Sequence, residues 1–382
     1  MFIHEKMGNS YTPGLKVARR MVIRRERRLP LKGEVLVSSG AKVKSDTAVA
    51  RTHLPGSVEL VNVANPLGVD PKAVRKYLLK KEGDKISQGE LIAKNPGLFG
   101  LFKSEFFSPI SGFVETVSDA TGKLTLRKEP VPLEIKAYIS GMVEKVIPEQ
   151  GVVIKTYGAY IQGIFGIGGE TWGGIKSAVS APDKVLDEGN LNESFSGMIV
   201  FGGSLVTLKA LQKAVRVGVK GIIVGGIEDQ DLREFLGYDL GAAVTGSENK
   251  GITLVLTEGF GAISMAEKSF QLLKESEGRL GSIHGATQIR AGVIRPEVII
   301  PYSEEGIPEN EVENQSKGFD LREGNLVRII RDPYFGSIAK IVSLPLEPQR
   351  IQTEAKVRVA EVMLLDGTRW VLPRANIERI EE

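Results

Sequence analysis

The chain has 382 residues, of which 42% are hydrophobic and 25% charged, with a formal net charge of only +3; it builds proper cores and is not disordered throughout. At roughly 100 to 200 residues per domain, two to four domains are expected. Zero cysteine excludes disulfides, thiolate nucleophiles and cysteine-based zinc or iron–sulfur sites.

His4, His53 and His284 lie too far apart for a metal-ligand motif, and no cofactor is expected. No apolar run nears the ~20 residues of a membrane helix, and no charged leader with an apolar core opens the chain. The expectation is a cytoplasmic protein with no membrane insertion.

Charge is unevenly placed. Residues 1–32 hold nine Lys/Arg against Glu5 and Glu26, or +7, which leaves −4 for the remainder. The block "RRMVIRRERR" and its flank put Arg19, Arg20, Arg24, Arg25, Arg27 and Arg28 together, a pattern that attracts polyanions by Coulomb steering. It equally suits the solvated face of a strand. Residues 1–32 are read as a basic N-terminal arm with the first strands.

Residues 33–174 read as strands and turns. "LPLKGEVLVSSGAKVKSDTAVA" alternates apolar and polar residues around Gly33 and Gly40. "YLLKKEGDKISQGELIAK" repeats that plan, and "AYISGMVEKVIPEQGVVIKTYGAYI" gives it a third time, which argues for small β-domains. The grammar resembles the biotinyl/lipoyl-like barrel-sandwich hybrid, or hammerhead, with "FFSPISGFVETV" and "EIKAYISGMVEKVIPEQGVVIKTYG" as its two halves. In true carriers the intervening hairpin presents a lysine six residues before the lysine of the "EIKA"-like segment. Here Pro130 holds that place and Lys128 is displaced, so the resemblance implies a structural or docking module, as in a respiratory electron-transport subunit.

The stretch "GIFGIGGETWGGIKS" invites a nucleotide-binding reading. Gly169 and Gly174 have P-loop spacing, but Ile175 intervenes before Lys176 and Ser177. The dinucleotide pattern fails at Thr171, and no helix signal follows. A bent, tightly packed crossing between domains is expected instead.

Residues 175–300 alternate strand and helix, predicting βαβ units and a largely parallel sheet, in a pattern resembling a swivelling α/β domain. "GMIVFGG" is a buried strand, and a helix follows with Ser204 as N-cap, Leu205, Leu208, Leu211 and Val215 on its apolar face and Gly218 as its stop. "VKGIIVGGI" and "ITLVLTEGFG" are strands and "EDQDLREFLG" a short helix, while Ser264 and Glu267 form a capping box. Ligands of such sheets sit beyond the carboxyl ends of the strands. Gly203, Ser204, Asp229, Asp231 and Glu258 fall there and suit a cation or polar ligand. They equally suit tight turns with acids complementing helix dipoles.

Residues 301–317 are an acidic, proline-containing linker. Residues 318–382 are again β: "FDLREGNLVRIIRDPYFGSIAKIVSL" resembles the KOW motif, and "AEVMLLDGTRWVLPRANIERI" completes an SH3-like barrel of the kind KOW proteins build. The resemblance implies contact with RNA, polymerase or ribosome, with Arg328, Arg331, Tyr334 and Phe335 as a local stacking surface. Ten Lys/Arg against ten Asp/Glu make the segment neutral, whereas phosphate binding is driven by a basic excess.

The fold class expected is multidomain: an all-β barrel-sandwich region, a central α/β domain and a C-terminal SH3-like barrel. The function expected is a non-catalytic scaffold or adaptor for nucleic acid or a transcription- or translation-related complex. The alternatives are an enzyme or small-ligand protein using the α/β strand ends, and a structural subunit of a larger complex. With proline at the acceptor place, protein co-expressed with biotin and lipoate ligases should keep its unmodified intact mass; a biotinyl or lipoyl adduct on Lys128 or a neighbour would overturn this.

Overall fold

A computed structural model describes residues 15–97, 103–238, 250–287, 294–302, 321–330, 334, 336–345, 347–350, 356–364 and 366–380. Nearly all of the expected acidic linker, the start of the basic arm, Arg331 and Phe335 lie outside the described residues. The molecule is mostly β, 47% strand against 15% helix, in several sheets. No helix among the described residues is long and apolar enough to cross a membrane.

The three repeats noted in the sequence resolve into two modules, one nested inside the other. The outer module joins Glu34–Val35, Lys42–Val43 and Ala48–Leu54 to Val131–Lys136, Gly141–Ile147 and Gly151–Gln162. The inner module, inserted between them, pairs Val58–Asn62, Lys123–Lys128, Gly112–Val117 and Lys85–Ile86 in one sheet. Each has its own core: Val43, Val49, Ile139, Val143 and Ile154 in the outer module, Ile86, Ile92, Ile110, Val114 and Leu124 in the inner.

The two modules repeat one hydrogen-bond plan. Gly40 N donates to Val143 O at 2.8 Å as Gly83 N does to Val114 O at 2.7 Å, and Leu36 N donates to Val49 O as Leu79 N does to Ile92 O, both at 2.9 Å. Ser45 N meets Ser140 Oγ at 3.2 Å, as Gln88 N meets Ser111 Oγ at 2.9 Å. "FFSPISGFVETV" and "KAYISGMVEKV" are therefore corresponding pieces of separate modules and do not pair as halves of one domain. The sequence pattern of a strand names its local shape but not its partner, because each copy offers the same alternation.

The expected basic arm is a strand. Val17–Arg28 pairs antiparallel with Gly151–Gln162 along its length, with a shift of register between Ala18 and Met21. Gly151–Gln162 also pairs with Glu297–Pro301, and so carries the outer module into a thirteen-stranded sheet.

Within that sheet Glu170–Ser177, Ile199–Phe201, Gly221–Ile227 and Thr253–Phe260 run parallel in that order, as βαβ units require. The glycine stretch forms the strands Phe165–Ile167 and Glu170–Ser177, the second of which runs across the expected boundary at residue 174. Its glycines admit close neighbours: a Cβ on Gly173 would lie 2.6 Å from Gly197 O.

Helices Leu208–Val217, Asp229–Leu236 and Glu267–Glu275 pack on the sheet, the first two ending at left-handed Gly218 and Gly237. Two expected caps differ. Thr207, not Ser204, caps the first helix through Oγ1 to Ala210 N at 3.2 Å, since Leu205–Val206 is still strand. At Glu267–Glu275 the N-cap is Ala266 and the Ser264 capping box does not form.

The centre of the sheet separates two cores. Ile175, Ile283, Val298 and Ile300 face the α/β core. On the opposite face, cross-strand register aligns Trp172 with Ser282 and Ile299, and Glu170 with His284 and Glu297. The C-terminal strands Leu326–Ile329, Ile338–Ser343, Val359–Leu364, Arg369–Pro373 and Ile377–Arg379 make a separate five-stranded antiparallel sheet around Val327, Ile341, Val362 and Ile377.

Candidate functional site

The carboxyl ends of the parallel strands are where a ligand is expected, and the C-terminal sheet sits over them. Glu258 ends the Thr253–Phe260 strand and is buried. Its Oε1 accepts from Ala266 N at 3.0 Å and so caps the Glu267–Glu275 helix, while its Oε2 meets Arg328 Nη2 at 2.7 Å. Arg328 also donates from Nε to the Glu258 carbonyl and from Nη1 to Glu378 Oε1 at 2.9 Å. Glu378 in turn holds Arg295 at 3.0 Å. Arg328 is 3% exposed and Glu378 is 0% exposed, so one cation and two carboxylates are buried together, with half-buried Arg295 at their edge. Arg328, expected on a stacking surface, is thus inside an interface.

Glycine lets the two parts meet there. A Cβ on Gly259 would lie 2.4 Å from Gly336 O, and a Cβ on Gly336 would strike the Phe260 ring at 2.7 Å. The space left, about 60 Å³ beside Thr257, Glu258 and Arg328, is far below the ~300–1,000 Å³ of ligand pockets.

The other strand-end candidates serve the fold. Ser204 Oγ donates to Asp183 O at 2.8 Å, and a Cβ on Gly203 would lie 2.3 Å from Lys184 O. Asp231 accepts from Leu208 N at 3.0 Å, and Asp229 pairs with Arg233 at 2.6 Å one helical turn on. Asp229, Asp231 and Glu258 are not brought together, and no cluster of three metal-ligating side chains occurs among the described residues.

The arginines of Val17–Arg28 meet carboxylates. Arg19 pairs with Glu275 at 2.8 Å, Arg24 with Glu144 at 2.8 Å, and Arg28 with Glu26 at 2.6 Å. Arg27 takes Glu170 bidentately at 2.5 and 2.6 Å, and Arg25 takes Glu297 in the same way. Arg20 lies exposed on the same strand.

Arg25 and Arg27 close the junction between the outer module and the polar sheet face. Tyr138, buried there, donates its hydroxyl to Glu297 Oε1 at 3.3 Å and receives Ser282 Oγ on its carbonyl at 2.6 Å. Burial, and then the Glu297 charge, pushes Tyr138 well above its ordinary pKa; the same causes push Tyr160 up to about 12. His284 accepts from Ala286 N on Nδ1 at 2.9 Å, and burial pushes its pKa below the usual value.

At the rim of this junction lies a groove of about 540 Å³ lined by Arg27, Arg28, Glu134, Lys136, Glu170 and Trp172 among others, with the Lys136 ammonium 5.3 Å from the Trp172 ring centre. The nearest sequence signal to Tyr138, His284, Glu297 and Trp172 was the tryptophan inside the glycine stretch.

On the C-terminal sheet, Tyr334 lies against Trp370 at 4.6 Å between centroids, and Trp370 and Val371 are 36% and 52% exposed. Arg374 donates to the carbonyls of Val359 and Pro345; burial, and then the neighbouring Arg358 charge, lowers its pKa. Trp370, Arg358 and Arg374 were not singled out by sequence, although "RWVLPR" holds two of them.

No protein-family model and no curated protein matches the chain.

Removing Arg328 leaves Glu258 buried without its cation and Glu378 with Arg295 alone. Arg328→Ala should cost about 3–5 kcal/mol in urea unfolding; a loss under about 1 kcal/mol, the worth of an exposed pair, would overturn the cluster's role.

His284 gives a pH dependence of known sign. Its folded pKa lies below the unfolded 6.5, so the unfolded chain binds the extra proton first, and its contribution to stability is complete above that value and is lost as pH falls toward the folded pKa. The urea midpoint should therefore drop between about pH 7.5 and 5.5, and drop less in His284→Gln. Equal drops would exonerate His284.

Proposed function

We propose that this chain is a non-catalytic adaptor: two barrel-sandwich-like modules and an α/β domain holding a KOW-type, SH3-like C-terminal module toward a transcription- or translation-related complex. The observation that carries this reading is the Arg328–Glu258–Glu378 cluster. It fixes the C-terminal module over the strand ends that an enzyme of this architecture keeps open for substrate, and favours a rigid presentation of one domain by another.

The pairing of Arg24, Arg25, Arg27 and Arg28 with glutamates weighs against the basic strand as a polyanion site, because counterion release depends on cations that lack protein partners. The exposed ring and valine at Trp370 and Val371, beside Tyr334, suit a protein contact of hot-spot character. An enzymatic reading through Gly203, Ser204, Asp229, Asp231 and Glu258 loses support from the structural duties those residues carry.

The test is affinity capture of the full chain from its native lysate, with nuclease, against Trp370→Asp/Val371→Asp as control. Proteins of the transcription or translation machinery should be retained after nuclease and fall about tenfold with the variant, a change of ~1.4 kcal/mol in binding. Retention only without nuclease would move the reading to RNA, and equal retention by both proteins would remove the C-terminal module from it.

A further inference from the structure

A strand at the edge of a sheet offers a row of main-chain N–H and carbonyl groups spaced to pair with another strand. Val58–Asn62 is the edge of the inner module's four-stranded sheet and pairs, among the described residues, with Lys123–Lys128 alone. Lys128 N donates to Ser57 O at 3.0 Å, and Val63 N to Gly122 O at 3.2 Å. Antiparallel pairing alternates between these points, so Glu59 and Val61 turn their main-chain groups toward that neighbour, while Val58, Leu60 and Asn62 turn theirs outward. The side chains along this edge are apolar and bare, with Val58 50% exposed and Leu60 61%.

The outer module shows how such an edge is closed. The matched bonds at Val114 and Val143 align Leu126 with Ile154, and so align Val58, Leu60 and Asn62 with Arg24, Glu26 and Arg28 of the strand alongside the outer module. Leu29 N donates to Gln150 O at 2.7 Å, so these three residues also turn their main-chain groups outward. All three are exposed and charged, which is how sheet edges are kept from pairing. The inner edge has no charge at any of the three positions.

We propose that Val58–Asn62 pairs antiparallel with the same strand of a second copy of this chain, about a two-fold axis through Leu60. The strand is complementary to itself in this register. Leu60 meets Leu60, Val58 meets Asn62 and Glu59 meets Val61, so every outward N–H finds a carbonyl and no like charges are opposed. The same operation on the outer edge would set Glu26 against Glu26 and Arg24 against Arg28, like charges that repel across a strand pair. Two four-stranded sheets then become one of eight, with Thr125 of each copy flanking the Leu60 pair.

Charge and direction agree. Arg127 lies next to Val58 in the sheet and Lys123 next to Asn62. Across the joint these cations stand three strand spacings apart, roughly 14 Å and beyond the ~8 Å screening length. The inner module leaves the outer at the Leu54–Val131 pair, close to Val58, so antiparallel pairing sends the two outer modules to opposite ends of the joint. Five paired residues span only about 17 Å, short of a standard interface, and the dimer is accordingly weak, with a dissociation constant of roughly tens of micromolar. The inference does not rest on the adaptor reading, although a pair would carry two C-terminal modules.

The full chain has no cysteine, so a single introduced thiol reports the register. Leu60→Cys, oxidised at about 100 µM, should form a disulfide-linked dimer, because facing Cα atoms in such a pair stand about 5.5 Å apart, within disulfide reach. Val58→Cys alone should stay monomeric, its two copies lying roughly 14 Å apart, whereas Val58→Cys mixed with Asn62→Cys should join. Phe107→Cys, at a position 52% exposed on the same module, is the control for random collision. In sedimentation velocity the unaltered chain should pass from monomer to dimer between about 5 and 500 µM. Leu60→Lys, whose unchanged melting temperature reports retained folding, should raise the dissociation constant at least about tenfold. Joining of Val58→Cys or Phe107→Cys as readily as Leu60→Cys would overturn the proposal. So would a monomer at every concentration, or a dimer that Leu60→Lys leaves intact. None of these outcomes touches capture of partners through Trp370 and Val371, which tests the adaptor reading by itself.

Discussion

A carboxylate taken out of water must find a cation, and this molecule meets that demand at both of its principal junctions. Glu170 and Glu297 lie in one cross-strand row on the sheet that separates two cores, and Arg27 and Arg25 reach them from the strand Val17–Arg28 alongside the outer module. Glu258 and Glu378 come from different domains and share Arg328. Neither arrangement is a strong source of net stability, since desolvation consumes much of the Coulomb gain. What each supplies is uniqueness: an apolar junction tolerates sliding, whereas a bidentate arginine accepts one geometry.

The sheet between these junctions works as a partition. One face is isoleucine and valine and belongs to the α/β core; the other carries serine, histidine and glutamate beside Trp172 and Ile299, and is covered by Tyr138 and two guanidinium groups. Placing the polar groups on the face between modules keeps them hydrogen-bonded to a second chain segment, the requirement for burying them at all. Tyr138 sits there with φ of 68°, a left-handed conformation uncommon for a tyrosine, and contributes carbonyl, hydroxyl and ring to the same contact.

Nesting one module inside its twin has a mechanical consequence. The inner module leaves the outer between Leu54 and Val131, two residues paired in register, so both ends of the insert depart from one point. It can therefore carry its own core and its own exposed edge without disturbing the outer module's seat on the sheet. The C-terminal sheet contrasts with it, being held by ions and by the glycine contact between Gly259 and Gly336.

Local signals carried the sequence reading where short-range physics decides. Alternation marked the strands, Gly218 marked a helix end because glycine enters the left-handed region without strain, and the misplaced Ile175 marked the glycine stretch as something other than a phosphate loop. Each of these is set within a few residues. The partners of the arginines, the pairing of the repeated strands and the duty of Glu258 were decided only in three dimensions. A carboxylate reads the same in sequence whether it caps a helix, holds a metal or meets an arginine 70 residues away. The choice among these depends on which charge and which N–H the fold places within about 3 Å, and the chain alone does not contain that distance.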